Sequence, residues 1–383
     1  MWTNDEPSSV AGLPRLASGA LMALAEARGR LAAGVMPVAP ISLGLGEAVG
    51  GMLAGDVVAM ADLPARTLAL RDGWAVAAEA VAGASPYAPI LLASQPVWVE
   101  AGDDLPPGTD AVLGQEAIPD PEAPPGRIRV VEEAPATEGT RGAGADLSRG
   151  QNMAAAGTRL APSRILGLAA CGIARVDVRR PMVRLVATGP AGAAVCAALA
   201  AFIAADGGIA VQTRQPGRHA DAVAEAILGS PADAVFVIGG TGFGRTDVSA
   251  AALTLAGTVT AHGVALRPGE TAGFGTAGGR PVLLVPGRPD AALASYLTLG
   301  RPLLGALAGT RATDRRIAPL LRKIVSTLGM SELVFVQCRP EGIEPLGSAE
   351  IPLHRLALAD AAVLVPPERE GYVEGTSVEI IPL

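Results

Sequence analysis

The stretch Gly239-Gly240-Thr241-Gly242-Phe243-Gly244-Arg245-Thr246-Asp247 carries the residue types that come nearest to a chemical device in this sequence. Its glycines permit positive φ and let backbone N–H groups approach a ligand. Thr246 is placed to cap a following helix, whose N-terminus favours an anion. On one reading this is a cradle for a phosphate or another oxyanion. On the other it is a Gly-rich turn with an acid in the first helical turn, and the loop alone does not choose between them. Pro286-Gly287-Arg288-Pro289 offers a rigid turn that presents Arg288, either to grip an anion or simply to start a helix. Arg267, in Arg267-Pro268-Gly269, is a second candidate clamp. Asp72 and Asp146 sit in turn-like surroundings and by themselves read as Asx turns. His219, His262 and His354 share no spacing with each other or with carboxylates, so they read as surface or core histidines rather than metal ligands.

The elements that position these loops follow from periodicity. Short apolar runs rich in β-branched residues predict strands over 183–187, 209–213, 234–238 and 282–285. Between and after them, apolar residues at helical spacing predict helices over 193–205, 220–228, 248–255 and 291–307. Alternating strand and helix implies a mostly parallel, doubly wound sheet, and in such sheets ligands bind outside the carboxyl ends of the strands. The loops at those ends are Thr188 to Gly192, Gly239 to Asp247 and Pro286 to Asp290. Residues 59–139 read as a β-rich insert, with extended runs at 90–92 and 97–99 among prolines and glycines. Residues 313–383 read as a C-terminal β domain with strands at 333–338, 362–365 and 377–381.

Composition narrows the function classes. At 383 residues with 50% hydrophobic and 17% charged residues, the chain is a multidomain globular protein rather than a disordered tail. A net charge of −7 gives no positive field to gather nucleic acid or hold an acidic membrane. Lys323 is the only lysine, so an anion must be met by arginine, backbone N–H or metal. Cys171, Cys196 and Cys338 are far apart and lack metal-site spacing, which fits a reducing cytoplasm. The acidic opening Met1-Trp2-Thr3-Asn4-Asp5-Glu6-Pro7 does not resemble a signal peptide. Residues 185–205 are uncharged and long enough to span a bilayer. The break at Thr188 to Gly192 and the alanine content make them a buried strand, loop and helix, with a membrane span as the alternative.

Taken in order, these pieces resemble the molybdopterin molybdenumtransferases, the MoeA and gephyrin E-domain family. Ala48 to Ala59 looks like the family's ALGRVLAEDVVA, Asp62-Leu63-Pro64 like its DLP, and Asp72-Gly73-Trp74-Ala75-Val76 like its MDGYAV. Leu105 to Val112 follows LPxGxDAVV, and Arg141 to Asp146 follows RxxGED. Ala156-Gly157-Thr158-Arg159-Leu160 and Thr188-Gly189 come next. Gly239, Gly240, Gly244 and Asp247 match GGxSxGxxD, Pro268-Gly269 matches KPGKP, and Pro286-Gly287-Arg288-Pro289 matches PGNP.

The resemblance implies an α/β multidomain fold: an elongated discontinuous linker domain (1–58 plus 140–180), the β-rich insert (59–139), a doubly wound α/β molybdopterin-binding domain (181–312) and the C-terminal β domain (313–383). It implies a homodimer whose cleft is completed by the partner subunit. The implied activity is molybdenum cofactor biosynthesis in the cytoplasm, by insertion of molybdate into adenylylated molybdopterin with Mg²⁺. Other cofactor proteins are possible partners, and neither nucleic acid nor membrane is involved. Asp72, Asp146 and Asp247 match acidic catalytic positions, with Asp146 and Asp247 as metal ligands. Thr188, Gly189, Gly239, Gly240, Thr241, Gly242, Gly244, Arg267, Pro286, Gly287 and Arg288 would hold the pterin phosphate.

The chain also departs from the family. Pro190-Ala191 replaces an acidic pair, Arg267 and Glu270 replace two lysines, and Gly242 replaces a serine. Arg288 replaces an asparagine, Leu68-Ala69 an Asn-Ser, and Arg214-Gln215-Pro216 an Arg-Asp-Asp. These departures support an alternative: a non-catalytic paralogue acting as a molybdopterin-binding accessory or scaffold.

Overall fold

A computed structural model describes residues 21–212, 217, 219–229, 231–244, 246–311 and 316–383, with the side chain of Ala191 excepted. The readings at residues 1–7, at 213–216, at Arg245 and at the start of the 313–383 segment fall outside these residues. The chain forms two compact units. One comprises the described parts of Met1–Ala54, Ala156–Ala161 and Val176–Leu383; the other comprises Gly55–Ala155 and Pro162–Arg175.

The first unit is built on the predicted alternation. β1 (Met182–Ala187), α1 (Pro190–Ala205), β2 (Ile209–Gln212), α2 (Ala220–Leu228), β3 (Ala234–Ile238) and α3 (Ser249–Ala256) follow in order. They are succeeded by β4 (Gly257–His262), β5 (Val264–Arg267), β6 (Gly273–Ala277), β7 (Arg280–Val285) and α4 (Pro289–Ser295). The six-stranded sheet runs β2-β1-β3-β7-β6-β4. β2, β1, β3 and β7 are parallel, and β6 and β4 add an antiparallel edge. Because side chains alternate along a strand, β3 sends Ala234, Phe236 and Ile238 to one core and Val235 and Val237 to another. Leu283 and Val285 of β7 join the first core, and Val282 and Leu284 the second, so helices cover both faces.

Past α4 the chain passes through a π turn (Tyr296–Gly300) into α5 (Arg301–Ala308). The continuous helix Pro289–Ala308 is long and apolar enough to cross a membrane by length and composition, but 78% of its apolar window is buried inside the protein. It is a core helix. Tyr296, fully buried, donates its hydroxyl to Asp206 Oδ2 at 2.6 Å, and Arg301 Nε donates to the same oxygen at 2.7 Å. Residues 185–205, the other apolar stretch, are β1, a short turn and α1.

A seven-stranded sheet completes this unit. Its strands are β8 (Arg316–Pro319), β9 (Ser331–Arg339), β10 (Gly342–Gly347), β11 (Ala361–Val365) and β12 (Ser377–Pro382), joined by β5 and Met22–Ala23. The order is Met22–Ala23, β5, β9, β11, β12, β8, with β10 on β9. β5 thus leaves its chain neighbours β4 and β6 to pair with β9, and Arg267 lies in register with Glu332. Backbone pairing across distant sequence decides this membership. The sequence reading passes over β4, although Thr258, Val259 and Thr260 are β-branched, and β6, whose Gly-Phe-Gly-Thr-Ala run holds one β-branched residue.

In the second unit, Gly73–Val76 pairs with Val97–Val99 on one side and Ala111–Leu113 on the other. Ile90–Leu92 pairs with Ile128–Val130. A core of Val76, Leu113, Ile118, Ile128 and Val130 lies beneath.

Candidate functional site

The loops that leave the carboxyl ends of β1, β3 and β7 meet. Thr188 follows β1 and donates both its amide (2.9 Å) and its hydroxyl (3.2 Å) to the carbonyl of Ile238, the last residue of β3. Gly239 and Gly240 follow with φ of +87° and +61°, conformations that disfavour a side chain. A Cβ on either would sit 3.0 Å from Thr188 Oγ1. Gly287, after β7, packs on Gly239 closely enough that its own Cβ would fall 3.2 Å from the Gly239 Cα. The structure therefore brings Thr188, Gly189, Gly239, Gly240, Pro286 and Gly287 to one edge of the sheet, and the small residues are what permit it.

Ser249, fully buried at the start of α3, fixes the loop. Its hydroxyl donates to Gly239 O at 2.6 Å and its amide to Gly240 O at 3.0 Å. With those carbonyls held inward, the amides of Gly240, Thr241, Gly242 and Phe243 have no acceptor among the described residues. Successive donors of this kind form a concavity suited to an anion. Nearby, α1 starts at Pro190 with no acidic residue in its first turn, so its N-terminal partial charge is unopposed. The acidic pair that the family carries here is absent, and the edge is correspondingly more electropositive.

Asp247 turns back onto this loop. Its Oδ2 accepts from the Gly244 amide at 2.9 Å and lies where Cβ atoms on Gly242 or Gly244 would fall, at 2.6 and 2.9 Å. A serine here, as in the family motif, would need the Asp247 carboxylate to swing aside. Thr246 does not cap α3. The cap position is Val248, without a side-chain hydrogen bond, because α3 begins two residues later than capping by Thr246 requires. Thr241 instead meets the Pro268 to Ala272 turn, with 3.1 Å between Thr241 Oγ1 and Thr271 Oγ1. In that turn Glu270 Oε2 accepts from the Gly269 amide at 3.1 Å.

Arg288 does not stand free. Its Nε donates to Asp290 Oδ1 at 2.7 Å, and its Nη1 lies 3.8 Å from Glu350 Oε1. Asp290 is 2% exposed and also accepts from the amides of Ala291 (2.8 Å) and Glu350 (2.6 Å). Arg267 ends β5 opposite Glu332 in the seven-stranded sheet. Ser249, His262, Thr271 and Asp290 were not singled out as site residues by sequence. Only the Asp after Pro289 left a trace, as a first-turn acid of α4.

In the other unit, Asp72 Oδ1 accepts from the Ala101 amide at 2.8 Å, and Asp146 is paired with Arg141 Nη1 at 2.5 Å. Among the described residues, no three His, Cys, Asp or Glu side chains gather as a metal site.

Known proteins share the sequence pattern and the fold of this chain. Residues 22–172 match the family described as MoeA N-terminal region (domain I and II), and residues 193–306 match the probable molybdopterin binding domain. Molybdopterin molybdenumtransferase 2 of Mycobacterium tuberculosis is 30% identical over 313 residues, which cover 70% of this chain and 76% of that protein. The chain belongs to the molybdopterin molybdenumtransferase family. Molybdopterin molybdenumtransferase 1 of the same organism is 27% identical over 420 residues, covering 93% of this chain and 97% of the relative. The solved structure of a molybdopterin biosynthesis MoeA protein from Pyrococcus horikoshii OT3 superposes with a TM-score of 0.77 at 22% identity, covering 95% of this chain and all of that one. The multidomain α/β fold is thus that of the family, and the Gly239 to Asp247 and Pro286 to Pro289 loops lie within the segment that matches the probable molybdopterin binding domain.

Proposed function

We propose that this chain acts in molybdenum cofactor biosynthesis as a molybdopterin molybdenumtransferase, taking adenylylated molybdopterin and molybdate as substrates. The observation that carries the reading is the run of amides at Gly240 to Phe243 without an acceptor among the described residues, beside the N-terminus of α1, which has no side-chain cap. Preorganised donors of this kind hold an oxyanion without a lysine. Thr188 and Ser249 keep the loop carbonyls turned away from the anion. Arg288, held by Asp290, is a positioned cation at the rim rather than a mobile clamp.

Magnesium is a different matter. Asp247 faces its own loop, Asp146 faces Arg141, and no acidic cluster stands among the described residues. Among the described residues the carboxylates therefore do not form a seat for Mg²⁺. The homodimer, the cytoplasmic location and the division into four domains belong to the same proposal. Their support is the family membership.

Complementation of a cell lacking its own transferase tests the activity. Restored nitrate reductase activity is the expected result. Persistent loss, with the protein folded and abundant, would favour the accessory reading suggested by the departures at Pro190, Ala191 and Glu270.

A further inference from the structure

At the tip of the amide loop stands an aromatic side chain with no packing duty. Phe243 is 74% exposed, although its own amide is the last of the run without an acceptor among the described residues. One side of its ring rests on the His262 imidazole, with ring centroids 5.2 Å apart and planes tilted by 40°. His262 is itself fixed: its Nε2 lies 2.7 Å from the Thr241 carbonyl. A carbonyl only accepts, so this nitrogen carries the proton. The histidine thus joins the end of β4 to the loop and supports the phenyl ring from behind.

We propose that Phe243, backed by His262, is the platform on which a flat nitrogen heterocycle of the substrate stacks, while the phosphate attached to that heterocycle lies on the amides of Gly240 to Phe243. The inference rests on the anion reading above and adds a specificity-determining residue to it. An exposed phenyl ring has little affinity for a bare oxyanion, but its face is covered well by a purine or a pterin. Position 243 is an unspecified one in the family pattern GGxSxGxxD.

Calorimetric titration of the full chain with ribose 5-phosphate, AMP and a phosphorylated 6-hydroxymethylpterin tests this. AMP and ribose 5-phosphate share the sugar and phosphate and differ only in the ring. AMP is expected to bind about tenfold more tightly than ribose 5-phosphate, in line with the stacking of one base on one aromatic residue. Phe243→Ala should erase that gap while leaving ribose 5-phosphate unchanged, and Phe243→Trp should restore it. A purine platform shows the Phe243-dependent gain with AMP, and a pterin platform shows it with the pterin phosphate. Equal affinities of ring-bearing and ringless ligands in the parent protein, or a gap that survives Phe243→Ala, would overturn the platform and leave the amide cradle standing. Ring-bearing ligands that bind through Phe243 while ribose 5-phosphate does not would keep the platform and remove the cradle. Binding of none of the three would remove both.

Discussion

Truncating Asp290 to alanine separates an organising carboxylate from a bystander. In the folded chain this group is 2% exposed and accepts from the Arg288 guanidinium and from the amides of Ala291 and Glu350. The Ala291 amide is buried, and orphaning it costs about 1–3 kcal/mol. Glu350 is exposed, so water replaces its lost partner and the cost there is at most about 0.5 kcal/mol. Arg288 is 46% exposed, and screening limits the loss of its ion pair to about 0.5–1 kcal/mol. Asp290→Ala should therefore destabilise by about 2–4 kcal/mol, or about 4–16 °C in the midpoint of a domain of this size. Arg288→Ala leaves the carboxylate its amide donors and should cost less, about 1–2 kcal/mol. Thermal and urea unfolding of both single variants and the double variant would measure this, with the transition of the first unit followed separately because the chain has two compact units. A coupling near 1 kcal/mol is expected. An Asp290→Ala cost below about 1 kcal/mol, or a larger cost for Arg288→Ala, would refute the claim that the carboxylate holds the arginine.

Asp247→Asn keeps an oxygen for the Gly244 amide, so its midpoint should hardly move, and a part for the carboxylate's charge in molybdenum insertion would show as a fall of at least about tenfold in a reconstituted assay. Asp146→Asn, whose Arg141 pair is half-exposed, should behave alike, and wild-type activity in both would strike them from the site. Glu270→Lys should tighten phosphate or molybdate binding by about 1 kcal/mol, with the gain fading as salt rises. Calorimetry showing unchanged or weaker binding would place Glu270 outside the anion field. Burial pushes the Cys196 thiol up to about 11 from its ordinary 9.0. The stability this group contributes is therefore complete below pH 9 and lost as pH rises through 11. At pH 8 a thiol reagent should label exposed Cys338 rapidly and Cys196 only on unfolding, and equal labelling rates would contradict the packing.

Much of this protein is legible in its sequence, for a definite reason. The runs at β1, β3 and β7 are apolar on both faces apart from Arg184, as a doubly covered parallel sheet requires. The Gly-rich and Pro-rich punctuation between strand and helix then locates the ligand edge from local chemistry alone. The order of short motifs, each weak by itself, marks the family because order along a chain survives where individual residues have changed. Contacts between distant residues were not legible. β5 enters the seven-stranded sheet because its backbone finds β9, and nothing in Val264 to Arg267 announces that partner. Arg288 read as a free clamp because its spacing to a carboxylate two residues on does not reveal that Asp290 is buried and also bound to Glu350. His262 had no neighbour in sequence with which to act. It gains a role only when β4 brings it to Thr241 and Phe243, since hydrogen bonds and ring contacts depend on distance in space, and only the packed sheet sets that distance.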